Sequence, residues 1–209
     1  MMQILIKNIL SIGDIPLKKP DYMEEKRWEN LQHIKAEADK KRSLVSAYLL
    51  DYMCRELQID NPVYEYSKRG KPILKDAECS FNLSHSGDYV VLAYHKGKEP
   101  VGVDIQKLRV MRDGMEKRLL HEKEKMMLPE EEELRLHYLN RLWTVKESFV
   151  KMTGVGLACD FRTIHADFQK GIINADNVEK VFFTLKDWND DYYLSVCTPV
   201  LTDCKIEEI

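Results

Sequence analysis

The stretch WTVKESFVK, residues 143–151, constrains the chain most, because it places opposite charges inside a strongly apolar helical pattern. The helix is predicted to begin near the acids of residues 130–133, which suit a first turn, and to stop at Gly154. Glu147 and Lys151 are separated by one helical turn, so they project from the same face. The carboxylate of Glu147 can bind a cation, and the ammonium of Lys151 can bind a phosphate.

The apolar side of this helix shows where the two charges point. Projected at roughly 100° per residue, Glu147 and Lys151 lie on the flank of the apolar arc and not on the side facing solvent, so they can face a cleft. The arc consists of Leu139, Leu142, Trp143, Val145, Phe149 and Val150. Lys146 falls inside the arc, where an unpaired ammonium is costly. We therefore expect Lys146 to find an acid or phosphate partner, or to extend to solvent, and we interpret it as a sign of a site more than of a core.

The segment GVDIQ, residues 102–106, supplies a second set of oxygen atoms. In an extended strand Asp104 and Gln106 emerge on one face, while Val103 and Ile105 point to the other. Mg²⁺ prefers one or two carboxylates together with substrate phosphates and water. An Asp and a Gln two residues apart are a weak signal alone. Together with Glu147 and Lys151, they predict a magnesium and pyrophosphate site.

Two further polar motifs precede this strand. Residues 67–72, SKRGKP, form a predicted turn with cations on both sides of Gly70, although an ordinary surface turn would show the same pattern. Ser84 and His85 lie in FNLSHSG, residues 81–87, where hydroxyl, imidazole and backbone donors can bind an anion. A lone His is more often structural, so the sequence leaves both interpretations of His85 open.

The remaining pattern predicts an α+β fold of two similar subdomains, residues 1–103 and 104–209, that meet at a ligand cleft. Each half has helical material followed by an antiparallel hairpin. The predicted elements are a strand at 2–7, a helix at 22–57, a strand at 64–66, a hairpin of 89–94 and 101–105 through the turn 96–98, an amphipathic helix at 112–127, the helix described above, a strand near 161–168, and a hairpin of 181–185 and 192–197.

Composition excludes several classes of protein. With 44% apolar and 32% charged residues the chain is globular, and a formal charge of -3 argues against bulk binding to nucleic acid. The five cysteines form no CxxC pair, so we expect reduced thiols. The N-terminal apolar run is too short for a signal peptide, and no stretch is long enough to cross a membrane. We therefore expect a cytoplasmic protein.

Four motifs, in this order and spacing, resemble those of the 4′-phosphopantetheinyl transferases of the surfactin-synthetase-activating type. They are residues 69–72 (RGKP), 81–86 (FNLSHS), 102–105 (GVDI) and 143–151 (WTVKESFVK). The likeness extends from about Lys26 to the last hairpin. Any one motif alone is weak, whereas four in sequence are improbable by chance. The resemblance implies transfer of the 4′-phosphopantetheine arm of coenzyme A to a serine of an acyl or peptidyl carrier protein, with release of adenosine 3′,5′-bisphosphate.

The resemblance also assigns roles to residues. It implies that Asp104 and Glu147 bind Mg²⁺ and the pyrophosphate, that Lys151 contacts the pyrophosphate, and that coenzyme A lies between the two halves. Arg69, Gly70, Lys71 and Pro72 would lie along the adenine, and Arg42, Ser84 and His85 would hold the 3′-phosphate, with Lys26 or Arg27 as further candidates for phosphate contacts. We hypothesise that Glu147 accepts the serine proton, directly or through a metal-bound water.

One position departs from the family pattern. Many relatives have Glu where this chain has Gln106, so we expect Gln106 to be a peripheral or water-mediated metal ligand. A coenzyme A-binding module without transfer activity therefore stays an alternative, and a magnesium-dependent phosphatase is a weaker one. The basic segment from Arg109 to Lys125 is a candidate docking surface for an acidic carrier, unless it packs on its own domain. The length of the chain resembles that of single-chain members and predicts a monomer, but it does not identify the carrier.

Overall fold

The structure, a computed structural model, describes residues 1–66, 72–156, 159–176 and 178–209. It divides into an N-terminal unit, residues 1–98 with 204–209, and a C-terminal unit, residues 99–203. Each unit packs a long helix against a mostly antiparallel sheet, which confirms the predicted α+β fold of two similar subdomains. The boundary that we predict between residues 103 and 104 stays a prediction, and a strand of the C-terminal unit spans it.

The N-terminal unit is built around one sheet and one long helix. Strand β1 pairs with β5 in antiparallel fashion and with β11, from the end of the chain, in parallel fashion, which gives the order β11-β1-β5-β4. Its elements are β1 (Met2–Asn8), α1 (Glu25–His33), α2 (Glu37–Glu56), β2 (Tyr64–Tyr66), β3 (Pro72–Leu74), β4 (Cys79–Ser86), β5 (Tyr89–Lys96) and β11 (Cys204–Glu208). Helix α2 buries Leu49 and Met53 against Val90 and Leu92 of β5.

The helix predicted over residues 22–57 is in fact two helices. Ile34 and Ala36 both have extended backbone angles, with ψ of 129°, so the chain leaves α1 and re-enters at Glu37. Apolar side chains recur at helical spacing on both sides of the break, and for this reason the pattern did not reveal it. The consequence is that α1 and α2 can approach one another and enclose Met23, Leu31 and Leu44 in a second small core.

The C-terminal unit carries the motifs that the sequence singles out. Its sheet has the order β6-β10-β9-β8-β7, and helix α5 packs against β6 and β10. Its elements are β6 (Gly102–Lys107), α3 (Met115–Leu119), α4 (Glu122–Lys125), α5 (Glu132–Thr153), β7 (Ile164–Asp167), β8 (Ile172–Ala175), β9 (Val181–Trp188) and β10 (Tyr192–Thr198). The core gathers Leu142, Val145 and Phe149 of α5 over Ile173 and Cys197 of the sheet.

Two sequence predictions about this unit are wrong. Strand β6 does not form a hairpin with β5, because it pairs with β10, where Asp104 lies opposite Ser195 and Gln106 opposite Tyr193. Strands β5 and β10 are both apolar, so the sequence pattern alone could not show which of them pairs with β6. The helix predicted over residues 112–127 is two short helices. The chain extends at Leu120, with ψ of 122°, and a capping box from His121 starts the second.

Gly102 sets the distance between β6 and α5. A Cβ atom at this position would overlap the carbonyl oxygen of Ser148 and the backbone nitrogen of Met152. Only a residue without a side chain lets strand and helix backbones approach so closely. Two residues further along the strand, this close packing carries Asp104 to the helix face.

Among the described residues, no helix combines the length and the apolar character needed to cross a membrane.

Candidate functional site

Asp104 and Lys151 form an ion pair between strand β6 and helix α5. The Lys151 Nζ atom lies 2.7 Å from the Asp104 Oδ1 atom. The side chain of Asp104 is 8% exposed and that of Lys151 is 29% exposed, so the pair lies at the edge of the core. The register of β6 and the close approach at Gly102 bring the two residues together, although 47 positions separate them in the sequence.

Glu147 completes this group one helical turn before Lys151. The residue is buried, at 9% exposure, and its Oε1 atom has no hydrogen-bond partner among the described residues. The pKa of Glu147 is raised from 4.5 to about 7, mainly because of burial and also because of the charge of Asp104, while Lys151 and Arg109 act in the opposite direction. Two carboxylates therefore share a poorly solvated space with two cations nearby.

These residues fit a divalent cation. A buried carboxylate oxygen of Glu147 without a partner, beside a second carboxylate, is the donor set that Mg²⁺ uses when phosphates and water supply the other ligands. Over the described part of the chain, no group of three or more His, Cys, Asp or Glu side chains could hold a metal. A divalent cation at this position would have Asp104 and Glu147 as its acidic ligands and would need further ligands from a substrate or water.

Gln106 lies on the same strand and is also buried, at 9% exposure. Its Nε2 atom donates to the carbonyl oxygen of Lys107 at 2.9 Å. This bond fixes the plane of the amide, since an Asn or Gln side chain has its donor and acceptor on opposite sides. A glutamate could not make that donation, so the residue at this position is held by a contact specific to the amide.

Arg42 and His85 line a cavity of about 440 Å³ in the N-terminal unit, together with Arg27, Asp39 and Ser46. Arg42 is held in place there, because its Nε atom donates to the carbonyl oxygen of Gly87 at 3.0 Å and its guanidinium pairs with Asp39. Two guanidinium groups and an imidazole around one cavity are suited to a phosphate. The sequence prediction that Arg42 and His85 act together, with Arg27 as a candidate, is consistent with this arrangement.

Two comparisons with known proteins bear on these sites. A family model of the 4′-phosphopantetheinyl transferase superfamily matches residues 100–197, and a model of the N-terminal part of a 4′-phosphopantetheinyl transferase matches residues 20–97. The two models adjoin and together include both groups of residues described above. The chain belongs to the 4′-phosphopantetheinyl transferase family.

Individual relatives agree with the family models. The chain is 29% identical over 182 residues to the 4′-phosphopantetheinyl transferase Sfp of Bacillus subtilis, which covers 83% of this chain and 80% of that protein. It is 28% identical over 167 residues to the 4′-phosphopantetheinyl transferase gsp of Aneurinibacillus migulanus, covering 77% and 69%. A vertebrate relative, the L-aminoadipate-semialdehyde dehydrogenase-phosphopantetheinyl transferase of Xenopus laevis, is 30% identical over 186 residues, covering 80% and 60%.

Five further residues are predicted from the sequence to bind coenzyme A. Ser84 is buried, at 4% exposure, and neighbouring strand residues point to opposite faces, so its side chain emerges on the face opposite to that of His85. Pro72 begins strand β3 and is half-buried. Arg69, Gly70 and Lys71 lie outside the described residues. The roles of these five residues stay predictions.

Lys146 has an acid partner, as expected, but this partner lies inside the core. The fully buried Nζ atom is 2.6 Å from Glu124 Oε2 and also donates to the carbonyl oxygens of Leu119 at 2.6 Å and Phe161 at 3.0 Å. Glu124 in turn accepts from the backbone nitrogens of His121 and Ala166. All the polar atoms of the pair are thus satisfied within the protein. The interpretation of Lys146 as a sign of a ligand site is wrong.

One group beside the site was not predicted from the sequence. Asn140 is fully buried in α5, and its side chain makes two hydrogen bonds with the backbone of Arg109. An Asn in the apolar face of a predicted helix could have been recognised, because a buried amide needs partners. No local pattern identifies Arg109 as that partner, because 31 positions separate the two residues.

Proposed function

We propose that this chain transfers the 4′-phosphopantetheine group of coenzyme A to a serine of an acyl or peptidyl carrier protein. The observation that carries the proposal is the convergence of Asp104, Glu147 and Lys151 on one face of α5 in a member of this family. The serine hydroxyl attacks the β-phosphorus of coenzyme A, the bond from that phosphorus to the bridging oxygen breaks, and adenosine 3′,5′-bisphosphate leaves.

In this proposal Asp104 and Glu147 hold Mg²⁺, with Gln106 as a peripheral ligand. The bound cation would neutralise phosphate charge and align the two phosphates. Glu147 accepts the serine proton, directly or through a metal-bound water. Lys151 carries a positive charge at the same face and stabilises the charge that develops on the leaving bisphosphate.

The cavity of the N-terminal unit takes the 3′-phosphate of coenzyme A in this proposal. Arg42 is already oriented by Asp39 and Gly87, and Arg27 and His85 line the same space. The matched test uses coenzyme A and 3′-dephospho-coenzyme A. Arg42→Ala should weaken binding of coenzyme A by about tenfold or more and leave binding of the dephospho compound nearly unchanged. An equal loss for both compounds would place the guanidinium elsewhere.

For the carrier we propose docking along residues 109–125. Arg112, Lys117, Arg118, Lys123 and Lys125 are all exposed there, which suits an acidic partner. Reversing the charges of Arg118 and Lys123 to Glu should raise the KM for the carrier and leave that for coenzyme A unchanged. An unaltered KM for the carrier would show that this segment packs on its own unit and does not bind the carrier.

We also propose that the protein is a monomer. Size-exclusion chromatography with light scattering tests this oligomeric state.

We also propose that the protein works in the cytoplasm. All five cysteines lie in the described part of the chain as thiols outside any disulfide, three of them only partly buried, which suits a reducing compartment. Fractionation of cells that express a tagged chain tests this location. Recovery of the protein with an oxidising compartment would contradict it.

The decisive experiment for the activity incubates the purified chain with coenzyme A, Mg²⁺ and an apo carrier protein, and measures the mass of the carrier. A transferase adds the mass of the phosphopantetheine group. Binding of coenzyme A without a mass gain on any of several carriers would favour a binding module, and release of inorganic phosphate without a mass gain would favour a phosphatase. Glu147→Gln provides the control, because it keeps the size of the side chain and removes the proton acceptor.

A further inference from the structure

Arg109 lies just beyond β6 with a main chain that is fixed from two sides. Asn140 Nδ2 donates to the carbonyl oxygen of Arg109 at 2.9 Å, and the Arg109 backbone nitrogen donates to Asn140 Oδ1 at 3.3 Å. The preceding nitrogen, of Leu108, donates to the carbonyl oxygen of Asp191 at 2.6 Å. Because Asn140 is fully buried, these bonds are shielded from water and fix the chain at this point.

The side chain of Arg109 is held as well, but it stays exposed. Its guanidinium carbon lies 5.8 Å from the centre of the Trp143 ring. The ring itself is fixed edge-on against Phe161, with centroids 5.4 Å apart and planes at 89°. Stacking on an aromatic face leaves the edge of the guanidinium available for hydrogen bonds.

The location of Trp143 brings this cation to the carboxylate site. Trp143 precedes Glu147 by one helical turn, so the two side chains are neighbours on α5. Arg109 and Glu147 are also close enough to interact electrostatically. On the other side of Glu147, one turn further along, lies Lys151. The carboxylate is thus flanked by a cation on each side along the helix.

We infer that Arg109 is a binding residue of the transfer site and donates to the pyrophosphate of coenzyme A. This inference rests on the proposed function and deepens it, because it removes Arg109 from the carrier-docking segment and assigns it to the nucleotide substrate. A docking arginine is expected to move freely until the partner arrives. The contacts with Asn140 and Trp143, in contrast, already restrict the conformations of Arg109. Binding a small anion therefore costs less conformational entropy.

Binding measurements on the full chain with Mg²⁺ test the inference. Arg109→Ala should raise the Kd for coenzyme A by about 10- to 100-fold, the usual effect of losing a charged hydrogen bond. The Kd for adenosine 3′,5′-bisphosphate, which lacks the β-phosphate, should rise less. Arg109→Lys should recover part of the affinity, since it restores the charge but neither the planar fork nor the stacking. Arg112→Ala, three residues away and exposed, should leave the Kd for coenzyme A unchanged.

Two outcomes would overturn the inference, and they differ from failure of the proposed function. If Arg109→Ala binds coenzyme A as tightly as the native chain and only the KM for the carrier rises, Arg109 belongs to the docking surface. If the affinities for coenzyme A and for the bisphosphate fall equally, Arg109 does not contact the β-phosphate. If the native chain itself neither binds coenzyme A nor modifies a carrier, the proposed function fails and the inference with it. A thermal melt of Arg109→Ala that matches the native chain shows that any loss of binding is not a loss of fold.

Discussion

The ammonium of Lys151 lies 2.7 Å from the Asp104 carboxylate, so a cation of the protein already occupies one of the two carboxylates proposed to hold the metal. The pair makes Lys151 an internal counter-ion as long as the metal is absent. In the proposed function, Mg²⁺ held by Asp104 would replace this ammonium, and Lys151 would then be available to bind the phosphates of the substrate. This one contact would couple the metal site to the position of Lys151.

Replacing Lys151 by Met should make the fold more dependent on Mg²⁺. Without the ammonium, Asp104 and Glu147 repel each other, and the free energy of unfolding in EDTA should fall by roughly 1–2 kcal/mol, between the values for exposed and buried pairs. Saturating Mg²⁺ should then raise the Tm of Lys151→Met more than that of the native chain. Lys170→Met is the control, because Lys170 forms a mostly exposed pair with Asp167. An equal Mg²⁺ effect in all three proteins would contradict the coupling.

Glu147 should make stability depend on pH when no metal is present. Its pKa is raised from 4.5 to about 7 in the folded chain, so the folded state binds a proton more tightly than the unfolded state does. The stabilisation from this proton is fully present below pH 4.5. It is lost as the pH rises from about 4.5 to about 7, by up to about 3 kcal/mol, and little more is lost at higher pH. Denaturant titrations in EDTA at pH 5 and pH 8 should show that the free energy of unfolding of Glu147→Gln increases relative to that of the native chain at the higher pH. If the difference between the two proteins is the same at both pH values, the prediction is wrong.

The buried pair of Lys146 and Glu124 should dominate the stability of the C-terminal unit. Lys146→Met leaves a buried carboxylate without its cation and should cost about 3–5 kcal/mol in the free energy of unfolding. Adding Glu124→Gln should recover part of this loss, because a neutral amide can still accept from the backbone nitrogen of Ala166. The exposed pair of Lys125 and Glu122 offers a matched comparison, and Lys125→Met should cost less than about 1 kcal/mol. Additive losses in the Lys146 and Glu124 double mutant would mean that the two residues do not act as a pair.

The sequence could predict what depends on local periodicity. Glu147 and Lys151 share a helix face because they are one turn apart, and Asp104 and Gln106 share a strand face because strands alternate. It could not predict partners that are distant in the chain. The pairing of β6 with β10, the bond from Asn140 to Arg109 and the burial of Lys146 on Glu124 all depend on which segments pack together. The sequence contains several apolar segments that could pack together in more than one way. Only the folded chain shows which of them are neighbours, and therefore which polar side chains meet.

Gly102→Ala tests whether the close packing of β6 on α5 positions Asp104. The added Cβ atom would overlap backbone atoms of Ser148 and Met152, which no side-chain rotation can relieve. Strand and helix must move apart, at a cost of about 1–3 kcal/mol in the free energy of unfolding. The Mg²⁺ concentration needed for half-maximal transfer should rise as well, since Asp104 moves away from Glu147. Gly13→Ala is the control, because nothing lies within 4 Å of its Cβ position. A loss of stability without any change in the Mg²⁺ requirement would separate the packing of Gly102 from the metal site.

Gln106→Glu tests the position at which this chain departs from the family pattern. A third carboxylate beside Asp104 and Glu147 should lower stability in EDTA above pH 7, because three negative charges then share a buried space. The new residue also loses the donation to the Lys107 carbonyl oxygen, which releases its side chain. We expect a Mg²⁺ titration of transfer activity to shift to lower concentration, since a carboxylate binds Mg²⁺ more strongly than an amide oxygen does. Gln106→Leu should change the Mg²⁺ requirement little if Gln106 is peripheral. A large increase in that requirement would instead make Gln106 a direct ligand in the native chain.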